Sequence, residues 1–278
     1  MDGRGGAEVW LLDLDGVVWT GDRPIPGAAA ALRRLAESGR RLTYFTNNSH
    51  PRRADHLAKL ARHGLEAGAD DLFTSAEAAA RLCRAGERAL VLGGPGIHEA
   101  LQARGVEAVE LASRAARSVD VVVVGLDLGL DYWRLTAAMR AVRAGARLVA
   151  TNDDATFPVS DGLRPGAGSV LAAVLAATGA QAVVAGKPNE PAASLVTERL
   201  GRVEVVVGDR PSTDGALARR LGAPFALVLS GVTPSGIGTI DPAPDLVAAD
   251  LAELVRDVLS GEGLDGGRLG DGAGAPAR

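Results

Sequence analysis

Short apolar runs alternate along the chain with segments in which apolar residues recur at helical spacing. The first run lies within 8–14, and a segment with helical spacing, 28–38, follows it. Continuous apolar runs of this length are typical of strands buried in a parallel sheet, and the spacing after them predicts amphipathic helices. The repeated strand–helix order predicts an α/β fold with parallel sheets and right-handed crossovers.

Polar side chains follow several predicted strands at the points where these strands end. The carboxyl ends of parallel strands meet at one edge of a sheet, where open α/β sheets bind their ligands. We therefore expect these side chains to share one site. They are Asp13 and Asp15, Thr46 and Asn47, Lys187, and Asp209 and Asp214.

These strand ends lie near both extremes of the chain, and a second series of strands and helices separates them. The simplest arrangement is a core domain formed by 1–80 and 182–260, with 81–181 inserted as a second α/β domain. The final segment, 261–278, is rich in glycine, aspartate and alanine without apolar periodicity, and we predict a disordered tail there.

Asp13 and Asp15 are separated by a single residue directly after the first strand. Two unit charges about 4 Å apart cost about 4 kcal/mol at an effective dielectric constant of about 20. A divalent cation offsets this repulsion, and carboxylate oxygens are ligands that suit Mg²⁺. Taken alone, the pair is equally consistent with two solvated aspartates in a turn.

The composition narrows the class of protein. Apolar residues make up 47% of the chain but aromatic residues only 3%, so alanine, valine and leucine must form the core. The net charge of -4 argues against a nucleic-acid polymer as partner. A single cysteine, Cys83, suits a reducing compartment, and the sequence has neither a signal-peptide pattern nor a membrane-length apolar stretch. We expect a cytoplasmic protein without a membrane partner.

The predicted strand ends together supply carboxylates, a hydroxyl, an amide and a cation. This set suits phosphoryl transfer, in which Mg²⁺, a lysine and hydrogen-bond donors neutralise charge spread over three equatorial oxygens. A carboxylate nucleophile would form an acyl phosphate and divide one difficult displacement into two easier ones. A second carboxyl group would protonate the leaving alkoxide and later activate water.

The order and spacing of these residues resemble the haloacid dehalogenase superfamily of aspartate-dependent phosphatases. The four motifs of that superfamily are matched by Asp13-Leu14-Asp15-Gly16, Thr46, Lys187, and Gly208-Asp209 with Asp214. The NagD-like, 4-nitrophenylphosphatase and phosphoglycolate phosphatase branch is matched further by Thr46-Asn47-Asn48-Ser49, Gly186-Lys187-Pro188 and Ser230-Gly231-Val232-Thr233. The resemblance implies a HAD-like, doubly wound parallel-sheet core of Rossmann-like type, with an α/β cap inserted between the second and third motifs.

The resemblance implies Mg²⁺ as cofactor and a role for each matched carboxylate. Asp13 is expected to be the nucleophile and a magnesium ligand. Asp15 is expected to be the general acid and base, with its backbone carbonyl on the metal. Asp209 is expected to complete the protein ligands, and Asp214 to orient a metal-bound water.

The resemblance also implies a phosphate site and a reaction. Thr46 and the backbone of Asn47 are expected to hold the phosphoryl group, and Lys187 to neutralise it and Asp13. The implied activity is hydrolysis of a small phosphorylated metabolite through an aspartyl phosphate. Glycerol phosphate, phosphoglycolate, a nucleotide and a sugar phosphate are all consistent substrates.

Substrate choice is expected to depend on the cap. Our hypothesis is that Thr156 and Phe157, after a predicted cap strand, line the leaving-group pocket together with Asn48. Tyr132 and Trp133 are expected to pack inside the cap rather than touch substrate. A homodimer formed through the cap is a further expectation.

Several of these residues also fit ordinary structural roles. Lys187 fits a surface lysine in a Gly-Pro turn, and Asp214 fits a helix N-cap before Gly215. Asn48 fits a helix-capping residue, and Asp154 fits a solvated loop acid.

Other classes of function share part of this chemistry. A phospho-accepting signalling module also uses aspartate, threonine, lysine and magnesium, but it is about half this length and carries its acceptor aspartate mid-chain. Carbon–halogen hydrolysis by a non-phosphatase member of the superfamily has no need for Asp15. A silent binding protein would be expected to lack part of the motif set, and none is missing here. These comparisons favour turnover of a phosphate ester.

Overall fold

A computed structural model describes residues 8–109, 118–159, 162–234 and 239–261 of the protein. The tail predicted over 261–278 lies outside these residues except for Gly261. Strands and helices alternate through the described chain, as the apolar pattern predicts. None of the helices in these ranges is both long and apolar enough to cross a membrane.

The described strands and helices are mostly short. In chain order, the strands are β1 (Val9–Leu12), β2 (Trp19–Thr20), β3 (Arg23–Pro24), β4 (Arg41–Thr46), β5 (Leu72–Thr74), β6 (Arg88–Leu92), β7 (Glu107–Val109), β8 (Val121–Val124), β9 (Arg147–Ala150), β10 (Thr156–Val159), β11 (Gly162–Pro165), β12 (Val183–Val184), β13 (Val205–Gly208), β14 (Phe225–Val228) and β15 (Leu246–Ala248). The helices are α1 (Ala28–Glu37), α2 (Arg53–Arg62), α3 (Ser75–Ala80), α4 (Pro95–Ala103), α5 (Tyr132–Arg143), α6 (Ala167–Thr178), α7 (Glu190–Leu200), α8 (Ala216–Leu221) and α9 (Leu251–Leu259). A π-helical turn, Pro211–Gly215, leads into α8.

Six of the described strands form a parallel sheet in the order β15-β14-β13-β1-β4-β5, here called the six-stranded sheet. β1 lies in its interior, where Leu12 is opposite Val207 of β13 and Tyr44 of β4. Because these strands are parallel, the residues that follow β1, β4 and β13 leave the sheet at the same edge. Three motifs that are distant in the sequence therefore meet there.

Five further strands of the described chain form a second parallel sheet in the order β12-β9-β8-β6-β7, here called the five-stranded sheet. It is built from the chain between α3 and α7. One detail differs from the prediction that the core resumes at residue 182, because Val183 of β12 pairs with Val149 of β9. A two-residue strand carries too little local pattern to indicate which sheet it joins. The chain therefore leaves the five-stranded sheet only after Val184, just before Lys187.

Side chains that alternate along β1 separate the two layers that cover the six-stranded sheet. Trp10 and Leu12 pack with α1 and α9, whereas Leu11 packs in the opposite layer. The Leu11 layer continues through α3 into the five-stranded sheet, and we call it the shared cluster. It includes Leu11, Phe45 and Phe73 of the six-stranded sheet, Ala76, Ala78, Ala79 and Ala80 of α3, and Ala89, Val91, Val121, Val123 and Val149 of the five-stranded sheet.

Two short antiparallel hairpins interrupt the parallel pattern. The first, β2–β3, lies within 16–27, a segment that its glycines and prolines mark as turn-rich. The second, β10–β11, pairs Phe157 with Arg164 in a segment that follows β9. The first hairpin follows the Asp13-Asp15 motif directly, and the second carries the residues expected to choose the substrate.

Candidate active site

The carboxylates of the first and fourth motifs converge at the edge where β1 and β13 end. Asp13, Asp209 and Asp214 each offer a carboxylate oxygen, and these oxygens lie within 4.8 Å of one another. The backbone N–H of Asp13 donates to the carbonyl of Val207 at 2.9 Å, which continues the β1–β13 pairing up to the site. Segments about 200 residues apart in the sequence therefore place their acids around one point.

Lys187 lies between two of these acids. Its Nζ is 2.8 Å from Asp13 Oδ1 and 2.7 Å from Asp214 Oδ1. The residue is only 2% exposed, which rules out a surface lysine in a turn. Burial lowers the pKa of Lys187, but the charges of Asp13 and Asp214 raise it by more, so the net shift is upward and the ammonium stays protonated.

The cluster holds more negative charge than Lys187 can balance. Burial raises the pKa of Asp13 well above its ordinary value; Lys187 opposes this shift, and Asp214 and Asp209 add to it. Burial and then the charge of Asp214 raise the pKa of Asp209 to about 7, although the Val232 N–H, 2.7 Å from its Oδ2, lowers it. Buried carboxylate oxygens held apart from water in this way fit a divalent cation, whose charge would lower both pKa values again.

Two glycines let the backbone approach Asp209 closely. Gly16 has a φ of +87, and a Cβ there would lie 2.3 Å from Asp209 Oδ2. A Cβ on Gly231 would lie 1.9 Å from the same oxygen. The glycine after the Asp13-Asp15 pair is therefore required both by its left-handed conformation and by the space that Asp209 occupies.

Asp214 lies within the π-helical turn and uses both of its oxygens. Oδ1 accepts from Lys187 Nζ, and Oδ2 accepts from the backbone N–H of Arg210 at 3.2 Å. The residue before α8 is Gly215, so Asp214 does not cap that helix. With both oxygens bound to N–H groups, Asp214 is better placed to hold Lys187 and the turn than to ligate a metal.

Asp15 is not one of the three clustered carboxylates. Its Oδ1 accepts from Trp19 Nε1 at 3.1 Å, and the residue lines the same cavity as Asp13. Burial raises the pKa of Asp15, and the charge of Lys59 and the Trp19 hydrogen bond oppose the shift. A carboxyl group with a raised pKa is suited to donate a proton.

Thr46 and Asn47 end β4 beside this cluster. Thr46 is buried, and its Oγ1 accepts from the backbone N–H of Asn48 at 3.0 Å. The Asn47 side chain holds the backbone of Lys187 from both sides, since Oδ1 accepts from its N–H at 2.9 Å and Nδ2 donates to its carbonyl at 3.1 Å. The second motif therefore positions the third.

The segment between β9 and α6, which includes the β10–β11 hairpin, supplies the other wall of the cavity. Asn48, Thr156 and Phe157, the residues expected to contact the leaving group, all line the cavity together with Asp13 and Asp15. Asn48 also has a local role, because its Oδ1 accepts from the backbone N–H of His50 at 3.2 Å. This bond closes a local turn and does not cap a helix, because the N-cap of α2 is Arg52, so the capping role expected for Asn48 was wrong.

The expectation that Tyr132 and Trp133 pack inside the cap was wrong. Their side chains are 76% and 74% exposed, and the two rings meet edge to face with centroids 5.9 Å apart. They begin α5 directly after its N-cap, Asp131, where helical spacing alone does not show which face is covered.

Sequence reasoning missed an ion pair that joins the two walls. Arg210 Nη1 lies 2.8 Å from Asp154 Oδ1, and Asn47 Nδ2 donates to Asp154 Oδ2 at 3.0 Å. Asp154 is therefore not a solvated loop acid, since both its oxygens contact residues that leave the six-stranded sheet. The pairing of Asp154 with Arg210 depends on how the segments that carry them are placed, which local spacing does not indicate.

Comparisons with known proteins agree with this architecture. Family profiles described as haloacid dehalogenase-like hydrolase and HAD-hydrolase-like match 10–107 and 184–254. Chronophin of Mus musculus is 39% identical over 283 residues, which cover 94% of this chain and 94% of that protein.

Solved structures give the same result. A p-nitrophenyl phosphatase from Archaeoglobus fulgidus has a TM-score of 0.81 and 31% identity, covering 90% of this chain and 98% of its own. A glycerol phosphate phosphatase from Mycobacterium tuberculosis, solved in complex with magnesium, has a TM-score of 0.79 and 34% identity, covering 89% of this chain and 76% of its own. The chain belongs to the haloacid dehalogenase-like hydrolases, in the branch of the NagD-like and 4-nitrophenyl phosphatases.

Proposed function

We propose that this protein is a Mg²⁺-dependent phosphatase that hydrolyses a small-metabolite phosphate monoester through an aspartyl phosphate. The observation that carries the proposal is the placement of Lys187 against Asp13 and Asp214, with Asp209 in the same buried cluster. This arrangement matches the electrostatic needs of phosphoryl transfer, and the similar proteins named above include phosphatases. The enzyme is a phosphoric monoester hydrolase.

Asp13, Asp209 and the backbone carbonyl of Asp15 are the groups that would hold Mg²⁺, with Asp214 behind them. The donor set fits because Asp13 and Asp209 each bind only one described N–H group through their carboxylates, which leaves oxygen for a cation. When bound, Mg²⁺ supplies positive charge that offsets the charge of the phosphoryl group.

The residues of the chain then divide the reaction into two steps. In the first, an oxygen of the Asp13 carboxylate bonds to phosphorus, the phosphorus–oxygen ester bond breaks, and the proton of Asp15 passes to the leaving alkoxide. In the second, Asp15 takes a proton from water, whose oxygen bonds to phosphorus while the bond to Asp13 breaks. Thr46, the backbone of Asn47, and Lys187 bind the phosphoryl oxygens in both steps.

Substrate selection falls to the wall that includes the β10–β11 hairpin. This wall faces Asp13 and Asp15 across a cavity of about 90 Å³. Asn48, Thr156 and Phe157 would contact that leaving group. A screen of phosphorylated metabolites that includes glycerol phosphate, phosphoglycolate, nucleotides and sugar phosphates identifies the substrate. An order of preference that Phe157→Ala leaves unchanged would contradict this assignment.

We further propose that the protein forms a homodimer and is located in the cytoplasm. The exposed Tyr132 and Trp133 pair offers an apolar surface on the five-stranded sheet's side, and we expect it to support a homodimer. The buried, free Cys83 is consistent with a cytoplasmic location.

The direct test uses the purified protein and 4-nitrophenyl phosphate. Asp13→Asn and removal of Mg²⁺ by a chelator should each abolish turnover, and added Mg²⁺ should restore only the chelated wild type. Asp15→Asn should permit phosphorylation of Asp13 at most, with turnover collapsing because the proton donor and base is lost. Full turnover in Asp13→Asn or Asp15→Asn refutes the assigned roles, and stable phosphorylation of the wild type without turnover would indicate a signalling module instead.

A further inference from the structure

Asp15 is held by a tryptophan that the motif chemistry does not use. Trp19 Nε1 donates to Asp15 Oδ1 at 3.1 Å, and Trp19 is 1% exposed. The backbone fixes the spacing of the two residues, because the Trp19 N–H donates to the Leu14 carbonyl at 3.2 Å and the Gly16 N–H donates to the Trp19 carbonyl at 2.6 Å. The indole and the carboxyl group are therefore parts of one tight turn.

The indole ring is itself held from the other side by α2. Lys59 Nζ lies 4.2 Å from the centroid of the Trp19 ring and donates to the Gly21 carbonyl at 2.6 Å. The ring of His63, which follows α2, lies 5.6 Å from the Trp19 ring. A cation over the face of an indole is attracted by the ring's quadrupole, and Lys59 ties that ring to the β2–β3 hairpin.

We propose that Trp19 is a positioning residue for the acid step, with Lys59 holding its indole in place. An N–H group that donates to Oδ1 disfavours a proton on that oxygen, so the transferable proton is carried by Oδ2. Among the residues that the structure describes, none bonds to Oδ2, which leaves this oxygen available to the leaving group. This inference rests on the proposed function of Asp15 as general acid.

The acid step accounts for each bond formed and broken and for the proton. The bond from the Asp13 carboxylate to phosphorus forms as the ester bond breaks, and the proton on Asp15 Oδ2 moves to the departing oxygen. A leaving group that is stable as an anion needs little help from this proton, whereas an alkoxide needs it fully. Loss of the Trp19 N–H should therefore affect poor leaving groups selectively.

The test compares three ring-bearing esters of similar size: 4-nitrophenyl, phenyl and benzyl phosphate. The ratio kcat/KM is measured because the leaving group departs in the first step. Trp19→Phe keeps the ring for Lys59 and deletes only the N–H. We expect kcat/KM to fall about tenfold on benzyl phosphate, less on phenyl phosphate, and less than about twofold on 4-nitrophenyl phosphate.

Trp10 provides a matched control. It is a fully buried tryptophan on β1, and its Nε1 has no hydrogen-bond partner within the described part of the chain. Trp10→Phe therefore makes the same change in the same apolar cluster without removing a bond, and it should show no dependence on the leaving group. Lys59→Met should show the same dependence of kcat/KM on the leaving group as Trp19→Phe, but more weakly. Lys59→Arg, which keeps a cation over the ring, should behave like the wild type.

An even loss on all three esters in Trp19→Phe would overturn the positioning role, because a general loosening of the fold affects them alike. Because Asp15→Asn is not expected to turn over, its rate of single-turnover leaving-group release is compared across the three esters, and this comparison separates the two levels of inference. If the rate of leaving-group release by Asp15→Asn depends steeply on the leaving group and that of Trp19→Phe does not, only the positioning role fails. If Asp15→Asn shows no such dependence, the acid role fails and this inference fails with it.

Discussion

Where β13 ends, the six-stranded sheet carries buried charged side chains, whereas the five-stranded sheet carries buried neutral ones where β9 ends. Asp209 follows β13 and is 3% exposed, and Asn152 follows β9 and is also 3% exposed. The two residues are equally buried, but those at the end of β9 are uncharged. Thr151 Oγ1 lies 2.9 Å from Ser49 Oγ, and the Asn152 side chain donates to the Asn47 carbonyl. Burial therefore does not decide where charge is placed.

The presence of an opposite charge decides where a charged side chain is buried. A buried charge costs several kcal/mol unless an opposite charge and hydrogen bonds offset the loss of water. The end of β13 has Lys187 beside it, together with a carboxylate set that fits a cation. At the end of β9 the buried groups are satisfied by uncharged hydrogen bonds, and the nearby Asp154 is paired with Arg210.

Removing the compensating charge should have the largest effect. Lys187→Met leaves three carboxylates facing one another, so we expect turnover to fall about 10³-fold and the free energy of unfolding to fall by about 3 kcal/mol without Mg²⁺. Urea unfolding with and without Mg²⁺ and steady-state kinetics check this.

Thr151→Val is the counterpart at the neutral edge. It removes one buried hydroxyl, so it should cost about 1–2 kcal/mol and change turnover by less than about threefold. Equal effects of the two substitutions on turnover would remove the distinction between the sheets.

The second expected effect concerns pH and His56 of α2. Burial lowers the pKa of His56 to about 4, although the bond of its Nε2 to the Asn48 carbonyl raises it. In the unfolded chain His56 binds a proton as the pH falls below about 6.5, whereas in the folded protein it does so only near pH 4. The stability that neutral His56 contributes is therefore fully present above pH 6.5 and is lost as the pH falls toward 4. The loss attributable to His56 is about 3 kcal/mol.

The measurement compares unfolding free energies of the wild type and His56→Gln between pH 7 and pH 4. The glutamine amide can still donate to the Asn48 carbonyl but does not titrate in this range. The difference between the two proteins should change by about 3 kcal/mol across the range, with the variant gaining relative to the wild type on acidification. A constant difference would show that His56 has the same pKa in the folded and unfolded protein.

The smallest effect concerns the pair that joins the two walls. Asp154→Asn keeps the shape but removes the charge that Arg210 contacts, so we expect kcat/KM to fall about tenfold with little change in stability. Arg210→Met should behave alike, and the double variant should be no worse than either single one. Fully additive losses would mean that the two residues act separately.

The sequence allowed the charged edge to be predicted in more detail than the contacts between the sheets. Asp13, Thr46 and Asp209 follow apolar strands directly, and parallel strands carry such residues to one edge. The pairing of β12 with β9, the exposure of Trp133, and the Asp154–Arg210 contact depend on how separate elements are placed. Local spacing does not encode that placement. The roles assigned to the individual site residues stay predictions until they are tested.

The shared cluster has a consequence for how the molecule responds to heat. Apolar side chains of both sheets belong to one cluster with the alanines of α3, so unfolding of either half would expose part of the core of the other. Separation of the chain at the predicted domain boundaries, after residues 80 and 181, would expose apolar surface on both parts. The protein should therefore lose its structure in a single cooperative transition, as one thermodynamic unit with two working parts.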